Sequence, residues 1–489
     1  MTGPIALVRR FPDAAVGLLG SVAVTVGTYG LADVPRNDAT LEDLGLAPMT
    51  YGHGKTLAGI VFWLGVALMV IAWVRIGRDR TAMTLRRTAA TVLVWAAPLL
   101  VAIPVYSRDV YAYLGQARVL AGGFDPYHDG PAHVPGPIVD SMAQIWAPTT
   151  SPYSPGFMLL ARGVVAVTGD DVWAGVIVFR LVLLPGLLLA LWAVPRIAAH
   201  FGASARAGLW LALLNPLLLI HLVGGPHGEM LQMGVIAAGV ALVLDRRHAR
   251  GLVVLGLAVS LKVTAGVMIP FVVWIWLAHL RRDRPVTARD RVGVFAATAA
   301  IPAAVFGVFT LLLGLGVGWV NGLAFANRII NPFTVPTLAA HLVSWVSAPF
   351  HTFHLHTVLA VTRPLSYAVL AGLLLWLFWQ ARTGERSAMA GMCWAMFALL
   401  LFEPSTLPWY YTWVTVLAVA FVLPLRARQT IVGVSVFLLI VFQPDDSILF
   451  YKPLESLLAA ALGLLAAVSL GRPDPLRLRS VRAVLRADA

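Results

Sequence analysis

Cysteine and charged residues are both scarce in this sequence of 489 residues. The single cysteine, Cys393, lies in an apolar run, so an intrachain disulfide and a zinc site built on cysteines are both excluded. Charged residues make up 12% of the chain, about half of the roughly 25% that is typical of a soluble domain, and 59% of the residues are hydrophobic. The sequence has no Walker loop and no Gly-x-Gly-x-x-Gly motif after a strand, so chemistry driven by cytoplasmic nucleotides is not expected.

Apolar runs that are long enough to cross a bilayer recur along the chain. A spanning helix requires about 20 apolar residues. The segment Gly251–Leu280 is too short for two full crossings and has arginines on both sides, so we expect a short helical hairpin with Lys262 near its apex. With this hairpin the sequence predicts an all-α, polytopic membrane protein of about 14 membrane helices in a single domain, residues 1–489. The other predicted crossings are Ala14–Ala32, Thr56–Ile76, Thr88–Val105, Trp173–Arg196, Ala207–Val223, Glu229–Leu244, Val292–Gly316, Pro364–Ala381, Ser387–Phe402, Pro408–Pro424, Thr430–Gln443 and Pro453–Leu470.

The basic residues predict the orientation of these crossings. The chain has 36 Lys and Arg against 23 Asp and Glu, a net charge of +13. If Arg9 and Arg10 lie in the cytoplasm and the chain crosses alternately, most arginines fall on the cytoplasmic side, as the positive-inside rule expects. This arrangement predicts a plasma-membrane protein with both termini in the cytoplasm, including a basic tail at residues 471–489. The charge therefore needs no nucleic-acid partner to explain it.

Two predicted extracytoplasmic loops, residues 106–171 and 318–363, are too long to be simple turns, and loops of this length are usually functional. In the first loop, apolar residues recur at helical spacing through Asp109–Ala121, which indicates an amphipathic helix lying in the membrane interface. The segment Phe157–Thr168 is too short to span and is expected to form a second interfacial helix. Polar residues concentrate in these outer regions.

Asp109 is the strongest candidate for chemistry. It lies where the third predicted crossing meets the first interfacial helix, and a carboxylate at this boundary can take a proton from an incoming hydroxyl group. The alternative is that Asp109 is an acid at a helix N-terminus, favoured by the helix dipole.

Other candidate site residues also have structural alternatives. His227 and Glu229 follow two glycines and could bind a sugar or a phosphate, or could belong to an ordinary outer turn. Arg180 and Lys262 lie inside apolar segments, where a charge is costly, and could neutralise a lipid phosphate or be ion-pair partners.

Aromatic residues and histidines mark further outer segments. Glu403 and the aromatic run Pro408–Trp413 could bind a sugar or belong to an interfacial aromatic belt. The spacing of His351, His354 and His356 could suit a metal, but no carboxylate lies close in sequence, so no metal site is predicted there.

Several separated motifs follow one another along the chain. They are Tyr51–Lys55, Ser107–Tyr113, Gly123–Tyr127 with Gly130-Pro131, Ser151–Gly156, Gly224–Glu229, Leu261–Thr264 and Pro408–Tyr410. In this order they resemble one enzyme family, the polyprenol-phosphomannose-dependent α-1,6-mannosyltransferases of the actinobacterial cell envelope, which are GT-C glycosyltransferases. The order of the motifs is more specific than any one of them, although Gly228 and Ser154 depart from the family pattern.

The resemblance implies a GT-C fold with extracytoplasmic interfacial helices and an active site on the outer face. It implies that Asp109 is the catalytic base in an inverting transfer of mannose from polyprenyl phosphomannose to a phosphatidylinositol-mannoside or lipomannan-type glycolipid acceptor. No cofactor is predicted, and a divalent cation is not excluded. The residues expected to bind the donor phosphate are Lys262, His227, Arg328, Arg108 and Arg180, and those expected to bind the sugar or acceptor are Glu229, Tyr111, Tyr153, Trp409, Tyr410 and Glu403.

Two other functions remain open at the level of sequence. The donor could be another polyprenyl-phosphate sugar, such as polyprenyl phosphoarabinose. A lipid or sugar transporter would also account for Arg180, Lys262 and a broken hairpin, although the sequence has no convincing internal repeat.

Overall fold

The computed structural model describes residues 12–79, 83–326 and 329–476. Within these ranges the regular secondary structure is helical, and the single extended feature is an isolated antiparallel bridge between Phe442 and Ile448. The predicted all-α fold is confirmed.

The first half of the chain carries nine of the helices that are eight residues or longer. Shorter helical turns occur between them, including a π-helical turn, Leu219–Gly224, just before the eighth. The nine helices are α1 (Pro12–Leu31), α2 (Gly52–Arg78), α3 (Leu85–Leu99), α4 (Asp109–Ala121), α5 (Pro155–Thr168), α6 (Val172–His200), α7 (Ala205–Ala212), α8 (Glu229–Leu244) and α9 (His248–Leu261).

The second half continues in the same way. A 3-10 segment, Val263–Met268, precedes the first of its helices, and a 3-10 turn, Pro408–Tyr410, precedes a short buried helix near the C-terminal end. The helices are α10 (Ile269–Asp283), α11 (Ala288–Leu313), α12 (Trp319–Ala326), α13 (Val335–Ser347), α14 (Leu355–Thr383), α15 (Ala388–Phe402), α16 (Tyr411–Ala418), α17 (Leu425–Val441) and α18 (Pro453–Gly471).

Local sequence signals begin and end several of these helices. Asp171 caps α6 by accepting a hydrogen bond from the Ala174 amide at 3.0 Å. Thr287 and Asp290 form a reciprocal capping box at the start of α11, and Gly314 ends that helix in the left-handed conformation, with a φ of 77°. These boundaries are therefore fixed by side-chain and backbone chemistry rather than by hydropathy.

Seven helices within the described residues are long and apolar enough to cross a membrane, or eight if the bent pair Ala205–Ala212 and Pro216–Gly224 is one span. This supports a polytopic membrane protein but falls short of the 14 membrane helices predicted. Several predicted crossings form short helices instead. The clearest is Pro408–Pro424, where α16 has eight residues, about 12 Å at 1.5 Å per residue.

Helix α4 begins and ends where the sequence predicts, but its environment differs from the prediction. An amphipathic interfacial helix would leave one face exposed. Most residues between Val110 and Val119 are buried instead, because α4 packs within the protein against α5 and α6. Its first residue, Asp109, is thereby held at the edge of the protein interior.

Helices α6 and α8 pack closely through two glycines. A Cβ atom added at Gly186 would overlap the backbone of Met230, and one added at Gly234 would overlap the Gly186 carbonyl oxygen. Small residues allow such close helix contacts in membrane proteins. This packing positions the N-terminal end of α8, which begins with Glu229.

The predicted hairpin region contains a helix break at Lys262. Helix α9 ends at Leu261, and Lys262 has extended backbone angles (φ −154°, ψ 123°) before the 3-10 segment Val263–Met268. The Gln232 side chain of α8 donates to the Lys262 carbonyl oxygen at 3.3 Å. Lys262 therefore departs from the helical conformation, and its backbone carbonyl group is hydrogen-bonded to α8.

Candidate active site

The ends of several helices meet around one cavity of about 270 Å³, which we call the Asp109 cavity. Asp109 at the start of α4, Lys262 after α9 and Glu403 after α15 all line it. A smaller recess of about 40 Å³ lies beside it and shares Asp109 and Lys262 with it, and Glu229 lines the recess. Residues separated by up to about 300 positions in the sequence thus face the same space.

Asp109 presents a partly accessible carboxylate to this cavity. Its side chain is 20% exposed, and its backbone amide donates to the Ser107 hydroxyl oxygen at 3.0 Å. Burial raises the pKa of Asp109 above its usual value, while the Ser107 hydroxyl, and the His227 ring only when it is protonated, oppose the rise. A carboxylate with a raised pKa is a stronger base than an ordinary aspartate once it is ionised.

His227 is the histidine that faces Asp109. Its Nε2 atom lies 3.8 Å from Asp109 Oδ2, and its Nδ1 atom lies 2.6 Å from the His221 carbonyl oxygen. The imidazole is fully buried and stacks on the Trp409 ring, with 3.7 Å between centroids and 23° between planes. The stacking on Trp409 and the contact of Nδ1 with the His221 carbonyl oxygen together hold the orientation of the ring.

Lys262 supplies a positive charge to the cavity. Its Nζ atom is 2.6 Å from Glu229 Oε1 and lies 3.7 Å from the centroid of the Tyr410 ring. The Lys262 side chain is 26% exposed, whereas that of Glu229 is 4% exposed. The ammonium group is thus held by a buried carboxylate and an aromatic face but stays open to the cavity.

Aromatic residues form much of the remaining wall. Tyr153 lines the cavity and the recess, and its ring meets the Tyr113 ring edge to face at 5.2 Å. Tyr410 also lines both and stacks on Trp413, at 4.8 Å and 12°. Aromatic rings beside polar groups suit a sugar ring, which has apolar C–H faces and polar edges.

Glu403 and Trp409, both predicted to contact sugar, occupy different positions. Glu403 lines the cavity, and its carboxylate accepts from the Ser405 hydroxyl at 2.6 Å and from the Ser405 amide at 3.1 Å. Trp409 is 2% exposed and packs behind His227 rather than on the cavity wall. Trp409 therefore supports the site instead of lining it.

Arg108 and Tyr111, predicted as phosphate and sugar ligands, do not line the cavity. Arg108 Nε lies 3.1 Å from Asp33 Oδ1, and its Nη1 atom donates to the Ser141 carbonyl oxygen at 2.8 Å. The Tyr111 hydroxyl donates to the Asp33 carbonyl oxygen at 2.6 Å and is buried. Both side chains contact Asp33, which follows α1, and Arg108 also contacts Ser141, so these contacts hold the start of α4 in place.

Arg180 also has a different position from the one predicted. Its side chain is 1% exposed, and its guanidinium group donates to four backbone carbonyl oxygens at 2.7 to 2.9 Å. Those carbonyls belong to Leu100, Ala102, Val223 and Gly224. The guanidinium group is thus bound within the protein, and Arg180 does not line the Asp109 cavity or the recess. Arg328, another predicted phosphate ligand, lies outside the described residues.

Gln116 is a cavity residue that the sequence interpretation did not single out. It lies on α4 seven residues after Asp109, with Ala112 between them, and all three line the cavity. A spacing of three, four and seven residues corresponds to one helix face. The Gln116 amide nitrogen donates to the Thr149 carbonyl oxygen at 2.8 Å. A polar residue in helical register with the candidate base was the available signal.

Two family profiles match most of the chain. A profile described as alpha-(1->6)-mannopyranosyltransferase, N-terminal domain, matches residues 14–278, which include Asp109, His227, Glu229 and Lys262. A second, described as MptB C-terminal domain, matches residues 336–472. The match to the first profile covers more than half of the chain.

Curated relatives agree with the profiles. The chain is 40% identical over 465 residues to alpha-(1->6)-mannopyranosyltransferase A of Mycobacterium tuberculosis, covering 93% of this chain and 88% of the relative. It is 34% identical to alpha-(1->6)-mannopyranosyltransferase A of Corynebacterium glutamicum, covering 91% and 95%. It is 28% identical to alpha-(1->6)-mannopyranosyltransferase B of the same organism, covering 84% and 73%. The chain therefore belongs to the actinobacterial alpha-(1->6)-mannopyranosyltransferase family.

Proposed function

We propose that this protein transfers mannose from polyprenyl phosphomannose to a hydroxyl group of a lipid-linked mannan and forms an α-1,6 linkage with inversion at the anomeric carbon. The α-1,6-mannosyl transfer is supported by the names of the relatives. The observation that carries the proposed chemistry is the Asp109 cavity, where the Asp109 carboxylate and the Lys262 ammonium group face the same space.

Asp109 acts as the base in this proposal. The acceptor hydroxyl attacks the anomeric carbon, the new C–O bond forms, and the bond from that carbon to the donor phosphate oxygen breaks. The hydroxyl proton moves to the Asp109 carboxylate. Since the leaving group is a phosphate, which is stable as an anion, no general acid is required.

Lys262 stabilises the departing phosphate. Negative charge increases on the phosphate oxygen as its bond to mannose breaks, and a fixed cation in a desolvated site lowers the energy of that charge. The Lys262 ammonium group lies on the cavity wall and is partly exposed, which suits contact with a lipid phosphate. Glu229 and Tyr410 hold it there.

The cavity walls suit the sugar and the acceptor. Tyr153, Tyr410 and Glu403 offer aromatic faces and a carboxylate for mannose or the acceptor mannan. The proposed acceptor is a phosphatidylinositol mannoside or a lipomannan-type glycolipid. We also propose a GT-C architecture with the cavity on the extracytoplasmic side of the plasma membrane and both termini in the cytoplasm, without a cofactor.

Purified protein assayed with several donors tests the proposal. Polyprenyl phosphomannose is expected to give α-1,6-linked mannose on a lipomannan acceptor, while polyprenyl phosphoarabinose and GDP-mannose are expected to give no transfer. Asp109→Asn is expected to reduce transfer by about 10²-fold or more. Asp43→Asn, a change at an exposed aspartate, is the matched control and should keep full activity. Full transfer by Asp109→Asn would exclude the assigned base.

A further inference from the structure

The tautomer of His227 is fixed by its surroundings. Its Nδ1 atom lies 2.6 Å from the His221 carbonyl oxygen, and a carbonyl oxygen only accepts hydrogen bonds. Nδ1 therefore carries the hydrogen, and in the neutral ring Nε2 carries a lone pair. Nε2 is buried, has no hydrogen-bond partner among the described residues, and lies 3.8 Å from Asp109 Oδ2.

Neighbouring residues pack against the His227 ring on one face and along one edge. Trp409 covers one face of the imidazole. Gly225 lies against its edge, and a Cβ atom added there would be 2.9 Å from His227 Cε1. Since His227 is fully buried, its Nε2 atom points at the Asp109 carboxylate without competition from water.

The contact between these two groups is favourable only when a proton is present. An ionised Asp109 facing a lone pair on Nε2 gives repulsion, whereas a protonated Asp109 can donate to Nε2. The separation of 3.8 Å is about 1 Å longer than a hydrogen bond, so this donation requires the two side chains to approach each other by about that distance.

We infer that His227 acts through Asp109 as its hydrogen-bond partner, with Nε2 accepting a hydrogen bond from the proton that Asp109 removes from the acceptor hydroxyl. This rests on the proposed function. In the step, the hydroxyl O–H bond breaks, Asp109 binds the proton, and the Oδ2–H group donates a hydrogen bond to Nε2. The electron pair of the broken sugar–phosphate bond leaves with the polyprenyl phosphate. His227 is thus a positioning residue for the base and not a phosphate ligand.

The surroundings of His227 keep its ring neutral and able to accept this hydrogen bond. Asp109 faces it from α4, Glu229 lies at the start of α8, Lys262 follows α9, and His221 precedes it on the π-helical turn. Burial lowers the pKa of His227, which keeps the ring neutral before the reaction, while the carboxylates of Asp109 and Glu229 oppose that effect.

The acidic limb of the pH–rate profile distinguishes this role from others. Two coupled groups bind their first proton at least as tightly as either group alone. Removing His227 therefore weakens proton binding at Asp109, and the acidic limb of kcat/KM should move to lower pH. The plateau rate should also fall by about tenfold or more, which is part of the ~10²- to 10⁴-fold rate gain that a general base contributes.

His227→Asn is the decisive variant. Its amide can still donate to the His221 carbonyl oxygen from the position of Nδ1, but nothing replaces Nε2. His128→Asn, at an exposed histidine, is the control and should leave the profile unchanged. If the acidic limb of His227→Asn does not move and its plateau rate equals that of the wild type, the role of His227 is only to hold the local structure. An unmoved limb with a raised KM for the donor would make it a phosphate ligand. Either result overturns the inference.

A second readout does not depend on turnover. The C=O stretching band of protonated Asp109, identified by its loss in Asp109→Asn, can be followed against pH by infrared difference spectroscopy. We expect this band to disappear at lower pH in His227→Asn than in the wild type. If the pH at which the band disappears is lower in His227→Asn but polyprenyl phosphomannose gives no product, the donor proposal fails and the inference stands. If product forms and the band disappears at the same pH in both proteins, the inference alone fails.

Discussion

Lys262 and Glu229 form an ion pair of 2.6 Å between a helix break and a helix start that lie 33 residues apart in sequence. The second carboxylate oxygen of Glu229 is buried and has no hydrogen-bond partner among the described residues. Tyr410 covers the ammonium group from the other side. The pair keeps one cation at the cavity wall in the absence of substrate, and among the residues that the structure describes Lys262 is the only ion-pair partner of the buried carboxylate.

Replacing Lys262 with methionine is expected to reduce both activity and stability. Loss of the cation should lower kcat/KM by about 10²- to 10³-fold, because the departing phosphate loses its stabilising charge. The buried Glu229 carboxylate is also left unpaired, at a cost of up to about 3 kcal/mol. The double variant Lys262→Met with Glu229→Gln separates the two effects, because it removes the unpaired charge. It should recover the thermal stability of the detergent-purified protein while transfer stays low, and recovery of transfer would contradict the role of Lys262.

The activity should depend on pH through Asp109. Burial raises the pKa of this carboxyl group, and the base must be ionised to accept a proton. Activity is therefore expected to fall, as pH is lowered, at a pH above the range of an ordinary aspartate, about 4. Since the Ser107 hydroxyl opposes the rise in the pKa of Asp109, Ser107→Ala should move the acidic limb of kcat/KM to higher pH, opposite to His227→Asn. An acidic limb at an ordinary carboxylate pH would contradict this environment for the base.

The sequence predicted the residues whose signals are local. Asp109 stands at the junction of an apolar run and a helical pattern, and Lys262 is a single charge within a 30-residue apolar stretch. Both are found on the same cavity. Glu229 follows a break in an apolar run, whereas Tyr153 was predicted from the family resemblance, and both face the site.

Roles that depend on distant partners could not be predicted in this way. Arg180 has the same local signal as Lys262, a charge inside an apolar run, yet it bonds to carbonyls 43 and 80 positions away. Hydropathy also measures composition rather than helix breaks. It therefore predicted one crossing over Pro408–Pro424, where the structure has a 3-10 turn and a short buried helix.

Arg180→Met is expected to destabilise the protein without a specific effect on donor binding. The substitution leaves four carbonyl oxygens without their donor, three of them in buried hydrogen bonds, and unsatisfied buried groups cost about 1–3 kcal/mol each, so a total of about 3 kcal/mol or more is expected. Thermal unfolding in detergent measures this loss. The control is Arg162→Met at an exposed position of α5, which should change the melting temperature little. A melting temperature equal to that of the wild type, combined with a raised KM for the donor, would instead indicate that Arg180 binds the donor phosphate.

Gly234→Ala tests the close packing that positions the start of α8. A Cβ atom at this position would overlap the Gly186 carbonyl oxygen, so α6 and α8 must separate to accommodate it. We expect a loss of about 1–3 kcal/mol, as for other overpacked sites, and a fall in activity because Glu229 and His227 shift with the end of α8. Gly163→Ala is the matched control, since nothing lies within 4 Å of a Cβ atom there and alanine favours a helix. Unfolding and transfer assays on both variants check the prediction, and equal stability of the two would show that α6 and α8 are not in close contact.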